Sequence, residues 1–238
     1  MTANRGATSQ KELKIDWTYP VYTPPEQSGK TRAPSVSKSL DIPMIYEVLA
    51  KDDKRPLLVL REFSTFDNPD NEKLSRKLYT EKTVLLSHYF NCIRLPHHVT
   101  EPEHPFNGLF QENKPPQLFL ASADGTLFEP FEFNSSRANL LKDMNRILDK
   151  YYVKNPTKVI NDLFKLLPKF DKLDLEIQDL KEDLDRAIEE KGPLSSRARK
   201  LQKELDRAEK ERKNLEKKKA ALREIPLKNT VASNNQKG

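Results

Sequence analysis

The segment ENKPPQLFLASADGTLFEPFEF, residues 112–133, contains two adjacent prolines and two short apolar runs separated by an Asp-Gly pair. The apolar runs, residues 118–121 and 127–133, predict two strands. Residues 123–126 predict a tight turn between them, because Asp-Gly tolerates the left-handed backbone that hairpin turns need. The segment therefore predicts an antiparallel strand pair that is preceded by a pair of prolines.

Further elements are predicted on both sides of this hairpin. They are a short amphipathic helix (residues 39–53), a buried strand (55–63), a helix (74–87), a strand (92–95) and a C-terminal helix (135–152). The order helix, strand, helix, strand, loop, hairpin, helix predicts an α/β sandwich of about 110 residues, which is large enough to bury a core.

This order resembles the thioredoxin-like fold over residues 40–152. The resemblance rests on the segment KPPQLFL, the ADGT turn with the helix that follows, and VLAKDDKRPLLVLREF as the opening helix and first central strand. In that family a cis-proline precedes the corresponding strand. The resemblance therefore implies a structural cis-proline at Pro116, since X–Pro bonds tolerate the cis form.

The chain departs from the family at the position of its chemistry. The family carries Trp-Cys-x-x-Cys after the first central strand, whereas this chain has EFSTFDNPDNEKL, with Phe66 to Pro69 where the dithiol would fall. Dithiol exchange needs one thiolate to attack and a second thiol to resolve the mixed disulfide. We therefore expect the fold without the redox activity. The proline-lined rim, with Phe66 and Pro69, remains a candidate surface for binding an extended peptide.

Cys92 is the only cysteine of the chain, so internal disulfides and multi-cysteine metal sites are excluded. It lies in a predicted strand, where a buried and unreactive thiol is the expected state. The alternative is an enzyme that uses Cys92 as a single reactive thiol, which requires an exposed thiol with a lowered pKa.

All four histidines fall within residues 88–104, and His97, His98 and His104 share a loop with Glu101 and Glu103. Imidazoles and carboxylates together can hold a divalent ion, but this spacing matches no familiar zinc pattern. We therefore interpret the group as a solvated loop and predict no metal and no cofactor.

Residues 1–38 are rich in Ser, Thr, Pro and Lys, which predicts a flexible N-terminal arm. Trp17, the only tryptophan, lies in this arm within KIDWTYPVY. Two interpretations remain open: the aromatic residue packs on the chain's own α/β domain (residues 39–154), or it anchors a partner.

After Asn155 the apolar residues recur every three or four positions, which predicts long helices. Pro168 is expected to kink or restart the first helix. Gly192 and Pro193 interrupt the pattern, which then resumes with heptad spacing at Leu194, Ala198, Leu201, Leu205, Ala208, Arg212, Leu215, Lys219 and Leu222. Residues 155–224 therefore predict an antiparallel helical hairpin (coiled coil), followed by a disordered tail at 225–238.

The two halves of the predicted hairpin carry opposite charge. Residues 163–191 contain six Lys and Arg against nine Asp and Glu, and residues 194–223 contain twelve against five. Helix flanks of opposite charge favour pairing of the two helices and help to select a partner. Arg212 and Lys219, polar residues at seam positions, are candidate partner-binding residues. The basic run at 210–219 also leaves open a nucleic-acid-associated function, although it contains no aromatic residue for base stacking.

The whole chain has 238 residues, a net charge of +6 and a mean hydropathy of −0.79. No apolar run approaches the roughly 18 residues of a membrane span, and the first residues lack the apolar core of a secretory signal. We therefore expect a cytoplasmic protein. The sequence predicts a non-catalytic thioredoxin-like adaptor or scaffold, which acts through protein–protein interaction or self-association by its helical hairpin.

Overall fold

The computed structural model of the chain describes residues 5–22, 39–64, 69–132 and 134–228. The chain divides into two compact units. Residues 15–154 and 227–238 form the unit that we call the α/β unit, and residues 1–14 and 155–226 form the helical unit.

The helices and strands follow one another in a mixed α/β order. They are α1 (Ala7–Glu12), β1 (Trp17–Thr18), α2 (Ile42–Ala50), β2 (Leu57–Arg61), α3 (Pro69–Leu78), α4 (Glu81–Ser87), β3 (Asn91–Leu95), β4 (Leu118–Ala121), β5 (Phe128–Phe131), α5 (Arg137–Tyr151), α6 (Pro156–Lys191) and α7 (Ser196–Arg223). Short 3-10 turns at His97–Thr100 and Asn107–Leu109 lie between β3 and β4.

The α/β unit is built on a five-stranded sheet in the order β1-β3-β2-β4-β5. Strands β1, β3 and β2 are parallel, whereas β4 is antiparallel to both β2 and β5. The central strands β2 and β4 are buried along their whole length. Their continuous apolar runs are explained by this burial, because a strand that is covered on both faces needs no alternating polar residues.

The predicted hairpin of β4 and β5 is confirmed. Gly125 adopts φ 73° in its turn, a backbone conformation that glycine reaches without steric strain. The Asp124 carboxylate accepts hydrogen bonds from the backbone N–H of Thr126 at 3.1 Å and from its hydroxyl at 2.8 Å. These local contacts explain why the turn was visible in the sequence.

The cis-proline prediction is wrong, because every peptide bond among the described residues is trans, including the bond before Pro116. The carbonyl oxygens of Pro115 and Pro116 instead accept hydrogen bonds from the Arg61 guanidinium at 3.1 and 3.4 Å. The trans form is intrinsically favoured by about 0.5–1 kcal/mol, and β4 begins only at Leu118. The chain therefore reaches the strand without a cis bond.

The helix predicted at residues 74–87 is two helices, α3 and α4. Thr80 divides them and begins the second, with its hydroxyl accepting from the backbone N–H of Thr83 at 3.3 Å. A threonine side chain in this position supplies one of the hydrogen-bond acceptors that the first turn of a helix lacks. The apolar spacing runs through both helices and so conceals the break.

In the helical unit, α6 continues through Pro168, so the predicted restart of the helix there is wrong. Pro168 lies at an exposed position of α6. A proline inside a helix removes one backbone hydrogen bond, and the buried residues before and after it, Leu167 and Phe170, hold the helix in place on either side. Gly192, with φ 79°, ends α6.

Helices α6 and α7 run antiparallel. Ion pairs join Arg197 to Glu190, Lys181 to Glu209 and Arg212 to Asp174, so that later residues of α7 meet earlier residues of α6. Apolar side chains from both helices fill the interface between them; these are Leu173, Ile177, Leu184, Ala187, Ala198, Leu205 and Ala208. Of the predicted heptad positions, Ala198, Leu205 and Ala208 lie in this interface, whereas Leu194 precedes α7 and is 77% exposed.

Residues 5–22 do not belong to a structureless arm, which corrects the prediction made for residues 1–38. Helix α1 packs on α6 through polar contacts: Arg5 forms an ion pair with Asp171 at 2.8 Å, and the Thr8 N–H and hydroxyl both donate to Asp174. Strand β1 pairs with β3. The polar composition of this segment concealed both elements, because the groups that hold α1 lie more than 150 positions away along the chain.

Among the residues that the structure describes, none of the helices is sufficiently long and apolar to cross a membrane.

Candidate functional site

A cavity of about 200 Å³ opens at the carboxyl ends of the parallel strands β2 and β3. Loops at this edge of an open α/β sheet are where such folds place their ligands. The cavity is lined by Leu60, Arg61, Glu62, Phe63, Ser64, Asn71, Arg94 and His97. We call it the rim cavity. One of its lining residues, Ser64, precedes in the sequence the segment in which the family resemblance would place a dithiol.

Arg61 is the buried cation of the rim cavity, with only 9% of its surface exposed. Its guanidinium donates to the two proline carbonyls, and its centre lies 5.8 Å from the centroid of the Phe110 ring. Burial lowers the pKa of Arg61, because removal from water disfavours the charged form. These partners are neutral acceptors, so they hold the guanidinium without cancelling its charge.

The Gln117 side-chain amide completes this arrangement. With its oxygen towards Arg61 Nη2, at 2.7 Å, its nitrogen donates to the Arg61 carbonyl oxygen at 2.8 Å. The Arg61 backbone N–H also donates to the Gln117 carbonyl oxygen at 2.8 Å. Arg61 therefore ties the chain that leads into β4 to the end of β2, which is a structural task.

Arg94 and Glu62 form the partly exposed side of the rim cavity, with an ion pair of 2.7 Å between them. The Arg94 guanidinium lies 6.0 Å from the centroid of the Tyr19 ring. Tyr19 is 59% exposed, so an aromatic face and a cation are both open to solvent here. Cation–π geometry of this kind is a common component of binding surfaces.

Trp17 packs within its own α/β unit. It lies in β1, is half-buried, and its indole N–H donates to the Tyr79 hydroxyl at 3.3 Å. This geometry favours the first of the two interpretations of the sequence, in which the aromatic residue docks on the α/β domain. Phe66 lies outside the described residues, and Pro69 is the first residue of α3.

Sequence reasoning did not single out Arg61 or Arg94. A signal was present, because each is the one charged residue of its strand and lies at or next to the strand's carboxyl end. Such positions face the ligand edge of a parallel sheet. Chemically, the rim cavity offers guanidinium and amide donors, one carboxylate and an imidazole. This set can hold polar backbone groups of a bound chain.

Cys92 is buried in β3, with 4% of its surface exposed. Its thiol donates to the Ser87 carbonyl oxygen at 3.3 Å. Burial raises the pKa of the Cys92 thiol to about 12, an effect that the nearby Arg55 only partly opposes. A thiol in this state has little thiolate at neutral pH.

We expect Cys92 in the native protein to react with iodoacetamide at pH 8 at least about a hundredfold more slowly than in the unfolded chain, because thiolate and access are both suppressed. Mass spectrometry of the whole chain measures this directly, since Cys92 is the only cysteine. The Cys92→Ala variant gives the background. Native labelling at the unfolded rate would contradict the assignment of a buried thiol.

The three loop histidines lie close together without forming a metal cluster. The ring centroids of His97 and His98 are 5.6 Å apart, and those of His98 and His104 are 5.2 Å apart. Nδ1 of His104 accepts from the backbone N–H of Phe106 at 3.1 Å, and burial lowers the pKa of His104. Within the described residues, no group of three or more His, Cys, Asp or Glu side chains is arranged to hold a metal ion.

Arg212 and Lys219, the candidate partner-binding residues of the hairpin, are engaged inside the helical unit. Lys219 Nζ lies 2.6 Å from the Glu12 carboxylate and 5.5 Å from the centroid of the Phe170 ring. Arg212 approaches Asp174 at 3.8 Å. The structure therefore gives these two seam positions an internal role in pairing α1, α6 and α7.

No protein-family model, curated protein or solved structure matches this chain.

Proposed function

We propose that this protein is a redox-inactive, thioredoxin-like adaptor that acts by binding other proteins, with the hairpin of α6 and α7 as its main interaction element. The observation that carries the proposal is the state of Cys92. The chain has no second thiol, and this one is buried in β3 with a raised pKa. This state of Cys92 is inconsistent with thiol exchange, and the proposal assigns binding to the rim cavity and the long hairpin.

The sheet supports the thioredoxin-like part of the proposal. A parallel β2–α3–α4–β3 unit, followed by an antiparallel β4–β5 hairpin and then α5, is the arrangement that the sequence resemblance implies. The trans peptide at Pro116 is a departure from that family. The thioredoxin-like part of the proposal therefore rests on the strand order and not on the proline.

The shape of the helical unit supports a binding role for the hairpin. Helix α6 has 36 residues and α7 has 28, and their facing sides are filled by their own apolar residues. The opposite sides are exposed and include Leu175 of α6, which is 61% exposed; Leu194, in the turn between the two helices, is 77% exposed. Burial of exposed aliphatic side chains favours protein–protein association.

The test uses the full chain with a photo-crosslinking amino acid at position 175 or 194, in native lysate. Matched probes at Ile42 and Met44, about half exposed in the α/β unit, serve as controls. We expect protein adducts from the hairpin positions to exceed those from the control positions by at least about tenfold, and unlabelled full chain to compete them away. Equal yields at all four positions would reject the hairpin as the interaction element.

Two further results distinguish self-association from binding of a foreign partner and test whether the protein is redox-inactive. Adducts that consist of two copies of this chain would assign the hairpin to self-association rather than to a foreign partner. The redox component is tested by reduction of a protein disulfide in the presence of a dithiol. Turnover by the full chain above that of the Cys92→Ala variant would overturn the claim that the protein is redox-inactive.

A deletion of the hairpin is a poorer control than these probes. Residues 5–12 pack on α6, so truncation at residue 152 would strip α1 of its partners. It would also remove Leu227, which forms a β-bridge with Tyr152. A change in binding after truncation would therefore combine loss of a surface with loss of structure.

A further inference from the structure

The outer face of α7 carries a continuous row of cations, which we call the basic stripe. Its members share exposed positions at spacings of three or four residues; they are Arg199, Lys203, Arg207, Lys210, Lys213 and Lys217. At 3.6 residues per turn these positions fall within an arc of about 120° on the helix. The residues of α7 that pack on α6, such as Leu205 and Ala208, lie on the other side of the helix. Most of the stripe therefore faces away from α6, and Arg207 lies at its edge, where it borders α6 residues such as Lys172.

None of the six stripe residues forms an ion pair with a carboxylate within the described part of the chain. The inner cations of α7 differ, since Lys219 and Arg223 both pair with Glu12. Asp206 lies in the same arc as the stripe, and it accepts a hydrogen bond from Gln202 at 2.8 Å. Like charges three or four residues apart destabilise a helix by about 0.2–0.5 kcal/mol per pair. A bound polyanion would remove that penalty.

The composition of the stripe selects among polyanions. On the face of α7 that carries the stripe, no aromatic or aliphatic side chain lies between Arg199 and Lys217; the apolar residues of this segment lie on the face towards α6. Protein interfaces are enriched in aromatic residues and depleted in lysine. Phosphate groups are bound by lysine and arginine without apolar help. Single strands are usually held by bases stacked on aromatic rings, which the stripe lacks. A duplex backbone fits these features best.

The dimensions agree with this choice. The 18 positions from Arg199 to Lys217 span about 27 Å of helix at 1.5 Å per residue. This length corresponds to about eight base pairs of a duplex at 3.4 Å each. We infer that the basic stripe binds the phosphate backbone of double-stranded nucleic acid without reading its sequence. This binding goes beyond the proposed adaptor function and does not depend on it.

The test measures binding of the full chain to a fluorescent 24-base-pair DNA duplex of arbitrary sequence, by anisotropy between 50 and 200 mM salt. Six phosphate contacts predict a slope of log K against log salt of about −5, and a loss of about a thousandfold in affinity over this range. The stripe variant combines Lys203→Gln, Lys210→Gln and Lys217→Gln. We expect it to bind at least about thirtyfold more weakly at 50 mM salt, with a slope shallower by about 3.

The matched control removes the same charge elsewhere by Lys54→Gln, Lys82→Gln and Lys142→Gln, at exposed positions of the α/β unit. We expect it, and a second stripe variant with the same three lysines changed to arginine, to bind within about threefold of wild type. Circular dichroism at 222 nm verifies that each variant keeps its helices.

Three outcomes would overturn the inference. They are no binding of the duplex at 50 mM salt, equal losses in the stripe and control variants, and equal affinity for a poly-glutamate peptide of matched charge. The last outcome would assign the stripe to an acidic protein segment. A negative result in the duplex-binding test leaves the crosslinking result at positions 175 and 194 unaffected, because those positions lie outside the stripe.

Discussion

Replacing Gly125 with alanine is expected to destabilise the α/β unit by about 3 kcal/mol. A Cβ at this position would lie 2.2 Å from Cδ2 of Tyr46, whose ring is buried in the core. The φ of 73° adds backbone strain for any residue other than glycine. Both effects act on the turn between β4 and β5, so we expect strand pairing at this edge of the sheet to weaken.

Gly192 provides a matched control for this substitution. It has a similar φ of 79°, but no atom lies within 4 Å of the position that a Cβ would take. Gly192→Ala should therefore show the backbone strain alone, about 1 kcal/mol. Urea unfolding followed by Trp17 fluorescence measures the effect of Gly125→Ala on the α/β unit, because Trp17 lies in β1. Hydrogen exchange of peptides from α6 and α7 measures the effect of Gly192→Ala on the helical unit. A Gly125→Ala midpoint equal to that of wild type would contradict the close packing of Tyr46 on the turn.

Glu12→Gln is expected to destabilise the helical unit by about 2–3 kcal/mol. The Glu12 carboxylate lies 2.6 Å from both Lys219 Nζ and Arg223 Nη2, and its side chain is 11% exposed. Glutamine preserves the size of the side chain but leaves two largely enclosed cations without their counter-charge. Loss of one partner in such a group costs more than the pair contributes when intact.

The control for Glu12 is Glu72→Gln, which breaks an exposed ion pair with Arg76 on α3. Exposed pairs contribute about 0–1 kcal/mol, so little change is expected there. Hydrogen exchange of peptides from α1, α6 and α7 measures the effect in the helical unit itself. A double-mutant cycle with Lys219→Met should give a coupling of at least about 1 kcal/mol. Equal exchange in Glu12→Gln and Glu72→Gln would refute the anchoring role of Glu12.

The elements that the sequence predicted best are those determined by contacts between residues that are close together along the chain. The β4–β5 turn depends on Asp124, Gly125 and Thr126, and the start of α6 depends on the Asn155 side chain, which accepts from Thr157 N–H at 2.9 Å. The heptad spacing of α7 likewise depends on positions three or four residues apart. Each of these signals is contained in a few consecutive residues.

The candidate site was less predictable, because its side chains come from distant segments. Arg61 is held by the carbonyl oxygens of Pro115 and Pro116, more than 50 positions away along the chain. The cis-proline prediction was wrong, and the local rule on X–Pro bonds from which it came contains no information on what the carbonyl groups bind. Cys92 was predicted correctly as buried because it lies within a predicted strand.

The sequence alone determined the α/β order of the first part of the chain, the two long helices of the second part, and the absence of a paired thiol. All three follow from local periodicity or from a count of residues. Only the tertiary structure decided that α1 belongs with α6 and α7, through Arg5, Glu12 and their partners on α6 and α7. The segment is polar and short, so nothing local holds it. Its order comes from charges that meet only after the chain has folded.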